Sequence, residues 1–303
     1  MPNQLYPVLF MLSSTFSLSL TGLFSKFLSE HFDANLLSFL RFILPAMVLI
    51  LMFIGKEVRW PDRSEQVPLW IRALCIGACQ VCFIYSLQHL TLVESVVLFG
   101  TGPLFIPVLE KLIFSTRIRP VNVLGLLSTF VGVVLLAGDV SGFSFRGELL
   151  VGLAAGVFNA GSQLSLYRIS KSRLNAFEIN LWTFLFASVV IMPLLAFSLV
   201  NDHVMYQASN TSPWLIVTVL GILALLIINT QVFRSKAYKL AESGSQLAPL
   251  IFTNLLFTAV WQVMFYDERY SAYQVLGLSL IIVANIVCVL LPKWLQSKSF
   301  KVA

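Results

Sequence analysis

The stretch "SFLRFILPAMVLILMF", Ser38 to Phe53, places a guanidinium, Arg41, in a segment otherwise fit for hydrocarbon. Apart from Ser38 and Arg41 it has no polar side chain. Whether that arginine is tolerable depends on the solvent around the segment, and the rest of the chain decides this. Of 303 residues, 58% are hydrophobic and 11% charged, with a mean hydropathy of +0.86. Soluble domains carry about 25% charged residues. Surface-to-volume scaling does not let a chain of this size hide so much apolar surface under so thin a polar shell. Membrane is the matching solvent, and hydrocarbon admits helices because an open sheet edge goes unsatisfied there.

Runs of about 20 apolar residues can cross a bilayer. Ten stand out, at 7–29, 34–54, 68–89, 93–114, 121–138, 148–168, 177–200, 214–236, 244–266 and 272–292. One set of alternate loops plus the C-terminus holds 16 Lys and Arg; the other holds Lys26, Arg146 and Arg269, and Arg41 lies inside a span. The positive-inside tendency then predicts cytoplasmic termini. The +6 charge is topological, so nucleic acid is not an expected partner. No basic leader or small-residue cleavage site flanks the first run, which reads as a retained span. The cysteines, including Cys79-x-x-Cys82, lie in apolar runs and read as packing residues. Asn210-Thr-Ser matches a glycosylation acceptor, a pattern short enough to arise by chance.

Five spans per half predict two halves of opposite orientation, 1–146 and 147–303, within one integral membrane domain. A shift of 152 lays Val123-Leu124-Gly125-Leu126 on Val275-Leu276-Gly277-Leu278. A shift of 142 lays Ser14, Ser17, Thr21 and Ser25 on Gly156, Asn159, Gln163 and Tyr167. Steps of three or four residues put each set on one helix face. Two readings of that stripe are open. Ser, Thr and the Gly152-x-x-x-Gly156 pair suit a tight helix seam, whereas Asn159 and Gln163 need partners or water and suit a cavity wall.

With these features the chain resembles the drug/metabolite transporter superfamily in its EamA-type branch. The features are Arg41-Phe42 opening a second helix, "LTLVESVVLFGTGP" with Pro103, Arg117 after Thr116, Gly125, "LAESGSQLAPL", Glu268-Arg269 and Gly277. Thr183 and Leu255 depart from the pattern, standing where Arg41 and Pro103 would repeat. The resemblance implies a ten-helix basket of two inverted five-helix repeats, its cavity lined by helices one to four and six to nine. It also implies movement of small metabolites, amino acids among them, across a bacterial inner membrane.

No ATP-binding loop, H-E-x-x-H or G-x-S-x-G occurs, so neither enzyme chemistry nor a cofactor or metal is expected. His31, His89 and His203 fall at span edges or in loops and read as structural. The expected function is secondary transport of a small polar metabolite, an amino acid or related compound, by alternating access. Partners are that solute, membrane lipids, and a coupling proton or counter-substrate. Alternatives are an onium or nucleoside-type solute, a passive channel, or a scaffold without substrate.

Candidate solute-binding residues are Ser17, Thr21, Arg41, Tyr85, Asn159, Gln163, Trp182, Asn254 and Trp261, the last sharing a helix face with Asn254 and Thr258. An aromatic wall with amides suits a zwitterion, or an onium ion by cation–π contact. Gly100, Gly102, Pro103 and Pro107 in one span read as a hinge or as ordinary helix plasticity. Glu110 reads as an interfacial charge and secondarily as a proton site. Arg41 lies about 10 Å deep from the periplasmic end at 1.5 Å per residue. It either snorkels, holds an anionic group, or pairs with Glu94 as a gate.

Overall fold

The computed structural model describes residues 5–114, 120–136, 146–200, 212–240, 250, 251, 253–266 and 271–299. They form eleven helices: α1 (Leu5–Ser29), α2 (Ala34–Met52), α3 (Arg63–His89), α4 (Leu92–Phe99), α5 (Gly102–Phe114), α6 (Pro120–Leu136), α7 (Gly147–Ser170), α8 (Ala176–Val200), α9 (Pro213–Leu240), α10 (Thr253–Phe265) and α11 (Ala272–Ser299). Six of them, α1, α2, α3, α7, α8 and α9, are long and apolar enough to cross a membrane. The fourth expected span departs from the sequence reading: it is two helices, α4 and α5, interrupted at Gly100 and Thr101. Thr116, Arg117, His203, Asn210, Glu268, Arg269 and most of "LAESGSQLAPL" lie outside the described residues, as do the side chains of Pro107, Glu110 and Cys288.

Several helix starts are written in the sequence. Asp33 accepts the Asn35 amide at the start of α2, at 2.9 Å. Thr91 and Glu94 form a reciprocal box on α4, with Glu94 N to Thr91 Oγ1 at 3.1 Å and Thr91 N to Glu94 Oε2 at 2.9 Å. Asp62 with Glu65, and Asn175 with Glu178, do the same for α3 and α8. Each box satisfies amides that the first helical turn leaves without an intrahelical partner. It also commits a buried carboxylate to a helix end.

The pairings obey an inverted symmetry. α1 runs antiparallel to α9, with Phe10 beside Phe233, Ser14 Oγ donating to the Thr230 carbonyl at 2.8 Å, and Asn229 Nδ2 donating to Ser17 Oγ at 2.5 Å. α3 runs antiparallel to α7, through Ser165 Oγ to the Pro68 carbonyl at 2.6 Å and Gly161 against Cys75. α1 runs parallel to α10, through Thr15–Thr253 and Ser19–Trp261. α7 runs parallel to α4–α5, with Gly152 on Leu98 and Gly156 on Thr101. Exchanging α1 and α3 for α7 and α9 carries each of these pairings onto another. α2 and α8 cross as an antiparallel pair, joined by Asn35 to Ser198 at 2.7 Å and by Phe42 beside Phe184. α6 and α11 pack on one another, with Gly132 against Gly277 and Ile281.

Polarity is distributed inside out. Leu51, Val200, Trp214 and Val263 are exposed, while Ser14, Ser38, Arg72, Asn180 and Thr183 are fully buried. A soluble protein does not present contiguous apolar faces on this scale; lipid covers them at no cost.

Candidate functional site: a cationic cavity between the inverted helix pairs

A cavity of about 30 Å³ lies where α1, α2, α3, α7 and α9 meet, with Phe99 of α4 closing one side. It has room for about two waters. Its polar lining comes from Thr21, Arg41, Gln80, Asn159, Gln163 and Arg234. A smaller recess of about 10 Å³ shares Asn159, Gln163 and Arg234 and reaches past Gly100 and Pro103 to Asn254. The α4–α5 break thus opens onto the cavity. The Gly100 N–H still pairs with the Val96 carbonyl at 2.8 Å, but the Thr101 N–H turns to the Leu98 carbonyl at 3.1 Å, and Asn159 Nδ2 donates to the Phe99 carbonyl at 3.5 Å. Gly102 fits closely there: a Cβ would lie 3.0 Å from Asn159 Nδ2 and 3.3 Å from the Gly156 carbonyl, so both would have to give way by a few tenths of an ångström.

The two stripes divide along their length. On α7, Gly152 and Gly156 make the seam with α4, while Asn159 and Gln163, two turns further, face the cavity. There Gln163 Nε2 donates to Asn159 Oδ1 at 3.3 Å and receives the Tyr238 hydroxyl at Oε1, at 3.1 Å. On α1, Ser14 and Ser17 bond to α9, Thr21 lines the cavity, and Ser25 accepts from Arg41 Nη1. Seam and wall readings both hold, on different residues.

The charge in this site comes from arginine. Arg41, Arg72 and Arg234 are 4%, 0% and 2% exposed. Arg72 Nη2 donates to Asn180 Oδ1 at 2.9 Å and to Gln231 Oε1 at 3.1 Å. Asn180 is itself held by Ser235 and the Ala176 carbonyl. Arg41 Nε, Arg72 Nε and Nη1, and Arg234 Nε and Nη2 are buried without a hydrogen-bond partner among the described residues. Among the described residues, the buried carboxylates stay at the helix ends. Glu94 meets Arg146 at 3.8 Å, and Glu65 meets Arg173 at 3.7 Å. Glu178 accepts from the Arg59 and Asn175 amides. Removing an ion from water costs several kcal/mol, and an ionisable side chain buried inside a membrane protein marks a candidate functional site.

A profile of the EamA-like transporter family matches residues 5–138 and again residues 146–290. The chain belongs to the EamA-like transporter family. It is 25% identical over 280 residues to the pseudopaline exporter CntI of Pseudomonas aeruginosa, covering 92% of this chain and 94% of that one. It is 24% identical over 202 residues to the riboflavin transporter of Brucella anthropi, covering 65% and 68% of the two chains. A crystal structure 18% identical in sequence superposes with a TM-score of 0.60, over 95% of this chain and 98% of its own, which establishes likeness of fold. This EamA-like transporter is therefore a multi-pass membrane protein of a small-molecule transport family.

Of the residues expected at the site, the fold brings Thr21, Arg41, Asn159 and Gln163 together and adds Asn254 and Pro103 at the recess. Others fall elsewhere. Ser17 is occupied by Asn229 in the α1–α9 seam. Tyr85 is exposed and stacks on His89. The Trp182 indole donates to the Arg59 carbonyl and packs on Trp60 at the basic end. The Trp261 indole donates to Ser19 at 3.0 Å, and the buried face of α10 is Asn254, Thr258 and Gln262, a strict four-residue step. The expected Arg41–Glu94 pair is not formed, because Glu94 is held by the α4 cap and Arg146. Arg72 and Arg234 were counted among loop charges in the positive-inside tally. The Asp62-x-x-Glu65 box could have corrected Arg72, since it starts α3 at Arg63 and puts Arg72 about 13 Å inside at 1.5 Å per residue.

Proposed function

We propose that this protein is a secondary transporter that carries a small polar metabolite with an anionic group, amino acids and related compounds included, across a bacterial inner membrane by alternating access. The observation that carries this is the lining of the cavity. Among the described residues, Arg41 and Arg234 face it with unpartnered N–H groups, while the buried carboxylates Glu65, Glu94 and Glu178 serve helix caps. A quaternary ammonium or sulfonium solute meets repulsion in such a lining, so the cation alternative loses ground. At about 30 Å³ the cavity is too small for an amino acid, so the helices must part to admit one, which is compatible with alternating access. The two halves, 1–146 and 147–303, interlock through the α1–α9, α3–α7 and α2–α8 pairs, so the parting runs between bundles that each draw helices from both halves, with both termini cytoplasmic and a proton or counter-substrate completing the cycle. Relatives named for pseudopaline export and riboflavin transport support a small-molecule cargo.

The test is reconstitution. A thermal-shift screen of the purified protein against amino acids, nucleotides and onium compounds identifies solutes, because a ligand specific to the folded state raises its midpoint. The best hit, radiolabelled, should then accumulate in proteoliposomes against its gradient and show counterflow. Equilibration without accumulation would indicate a channel, and inertness a scaffold. A response confined to onium compounds would overturn the anionic reading.

A further inference from the structure

The arginines stand at two levels of the cavity, one on each side of its centre. Arg41 reaches it from α2 at the level of Ser25. Arg234 reaches it from α9, one turn beyond Thr230, whose carbonyl is held by Ser14. Ser14 and Ser25 are separated by about 16 Å along α1 at 1.5 Å per residue, and Arg234 lies on the far side of Ser14 from Ser25. Their side chains approach the same space from opposite ends. The Arg234 end is also the better built. Its Nε and Nη2, which form the side-on edge of the guanidinium, are both buried and without a partner among the described residues. That edge meets a carboxylate with two parallel N–H···O bonds. Arg72 stands behind it, fixed through Nη2 to Gln231, one turn before Arg234 on the same face of α9. Its Nε and Nη1 are likewise unpartnered among the described residues.

We propose that the solute carries two separated anionic groups, one held side-on by Arg234 with Arg72 behind it and the other held by Arg41. This rests on the anionic reading of the cavity and sharpens it to a dianion, such as a dicarboxylate or a carboxylate bearing a second acidic group. A monoanion leaves one end of the cavity uncompensated. A dianion of matching length neutralises both, and its two ends are gripped by helices that belong to different halves.

The experiment compares chemically matched probes on the purified full chain. Succinate, glutarate and adipate are titrated by thermal shift beside butyrate, valerate and hexanoate. The expected result is a half-saturating concentration at least tenfold lower for the best diacid than for the monoacid of equal carbon number. Arg41→Gln and Arg234→Gln should each erase that advantage, bringing the diacid to the monoacid level. Equal responses to diacids and monoacids would overturn the dianion proposal and leave the anionic-solute reading standing. A diacid preference that survives Arg234→Gln would also overturn it. No response to any anion would remove both. Should either variant fail to fold, the wild-type series decides by itself.

Discussion

α1 and α7 open the two halves and occupy equivalent places, yet they build their inner faces from different chemistry. α1 uses hydroxyls, several of which also bond to their own helix: Thr21 Oγ1 donates to the Ser17 carbonyl and Ser25 Oγ to the Thr21 carbonyl. Its polarity is largely self-contained, leaving oxygens to accept from Asn229 and Arg41. α7 uses glycines where α4–α5 must approach and amides where it meets the cavity. An inverted backbone symmetry therefore encloses an asymmetric chemical site. The charge comes from α2, α3 and α9, and the amides come from α3, α7, α9 and the α10 end. Asymmetry is what a solute with distinct ends requires.

That comparison can be broken most severely at Arg41. Arg41→Leu is expected to abolish transport while the protein still inserts and accumulates, read by uptake normalised to membrane-embedded protein. Arg41→Lys keeps charge without the planar fork and should retain partial activity. Normal transport by Arg41→Leu would reduce Arg41 to a snorkelling residue.

Next comes the glycine contrast. At Gly156 a Cβ would lie 2.7 Å from the Leu98 carbonyl and 2.3 Å from Thr101 Oγ1, whereas at Gly22 of α1 its nearest neighbours are side-chain carbons at 3.6 Å. Gly156→Ala should cost about 1–3 kcal/mol from overpacking. Gly22→Ala should be neutral or gain up to about 1 kcal/mol from helix propensity. Unfolding midpoints in one detergent check both, and equal behaviour would dissolve the distinction between the seams.

A third test divides each stripe. In a background with Cys75, Cys79, Cys82 and Cys288 replaced, single cysteines at Thr21, Asn159 and Gln163 should react with a small polar thiol reagent. Cysteines at Ser14, Ser17 and Gly152 should be protected. Uniform protection would mean that the cavity does not hydrate. The smallest effect is expected at Ser25→Ala, which removes the oxygen accepting from Arg41 Nη1. Losing one such partner is worth about 1 kcal/mol, so solute affinity should fall about fivefold with insertion unchanged.

The sequence by itself determined the solvent and the helical class, and it pointed to two related halves. Each of these follows from composition and from periodicity along one chain. It also marked Arg41, because a lone guanidinium in an apolar run is conspicuous whatever surrounds it. The stripe on α7 was legible as a face, but one face of a long helix passes several neighbours. Only packing decided that Gly156 meets Thr101 and Leu98 while Gln163 meets Tyr238 and the cavity. Trp182 and Trp261 were misplaced because an indole at an interface and one in a cavity have the same chemistry, and their hydrogen-bond partners come from distant segments. Arg72 and Arg234 were hidden for a related reason. Both lie near the basic ends of the runs 68–89 and 214–236, and on hydropathy alone a charge near the end of a run looks like a loop charge. Tertiary structure turned them inward, where Asn180, Gln231 and a shared cavity await them, because burial depends on which helices pack around a residue and not on its distance from the end of a span.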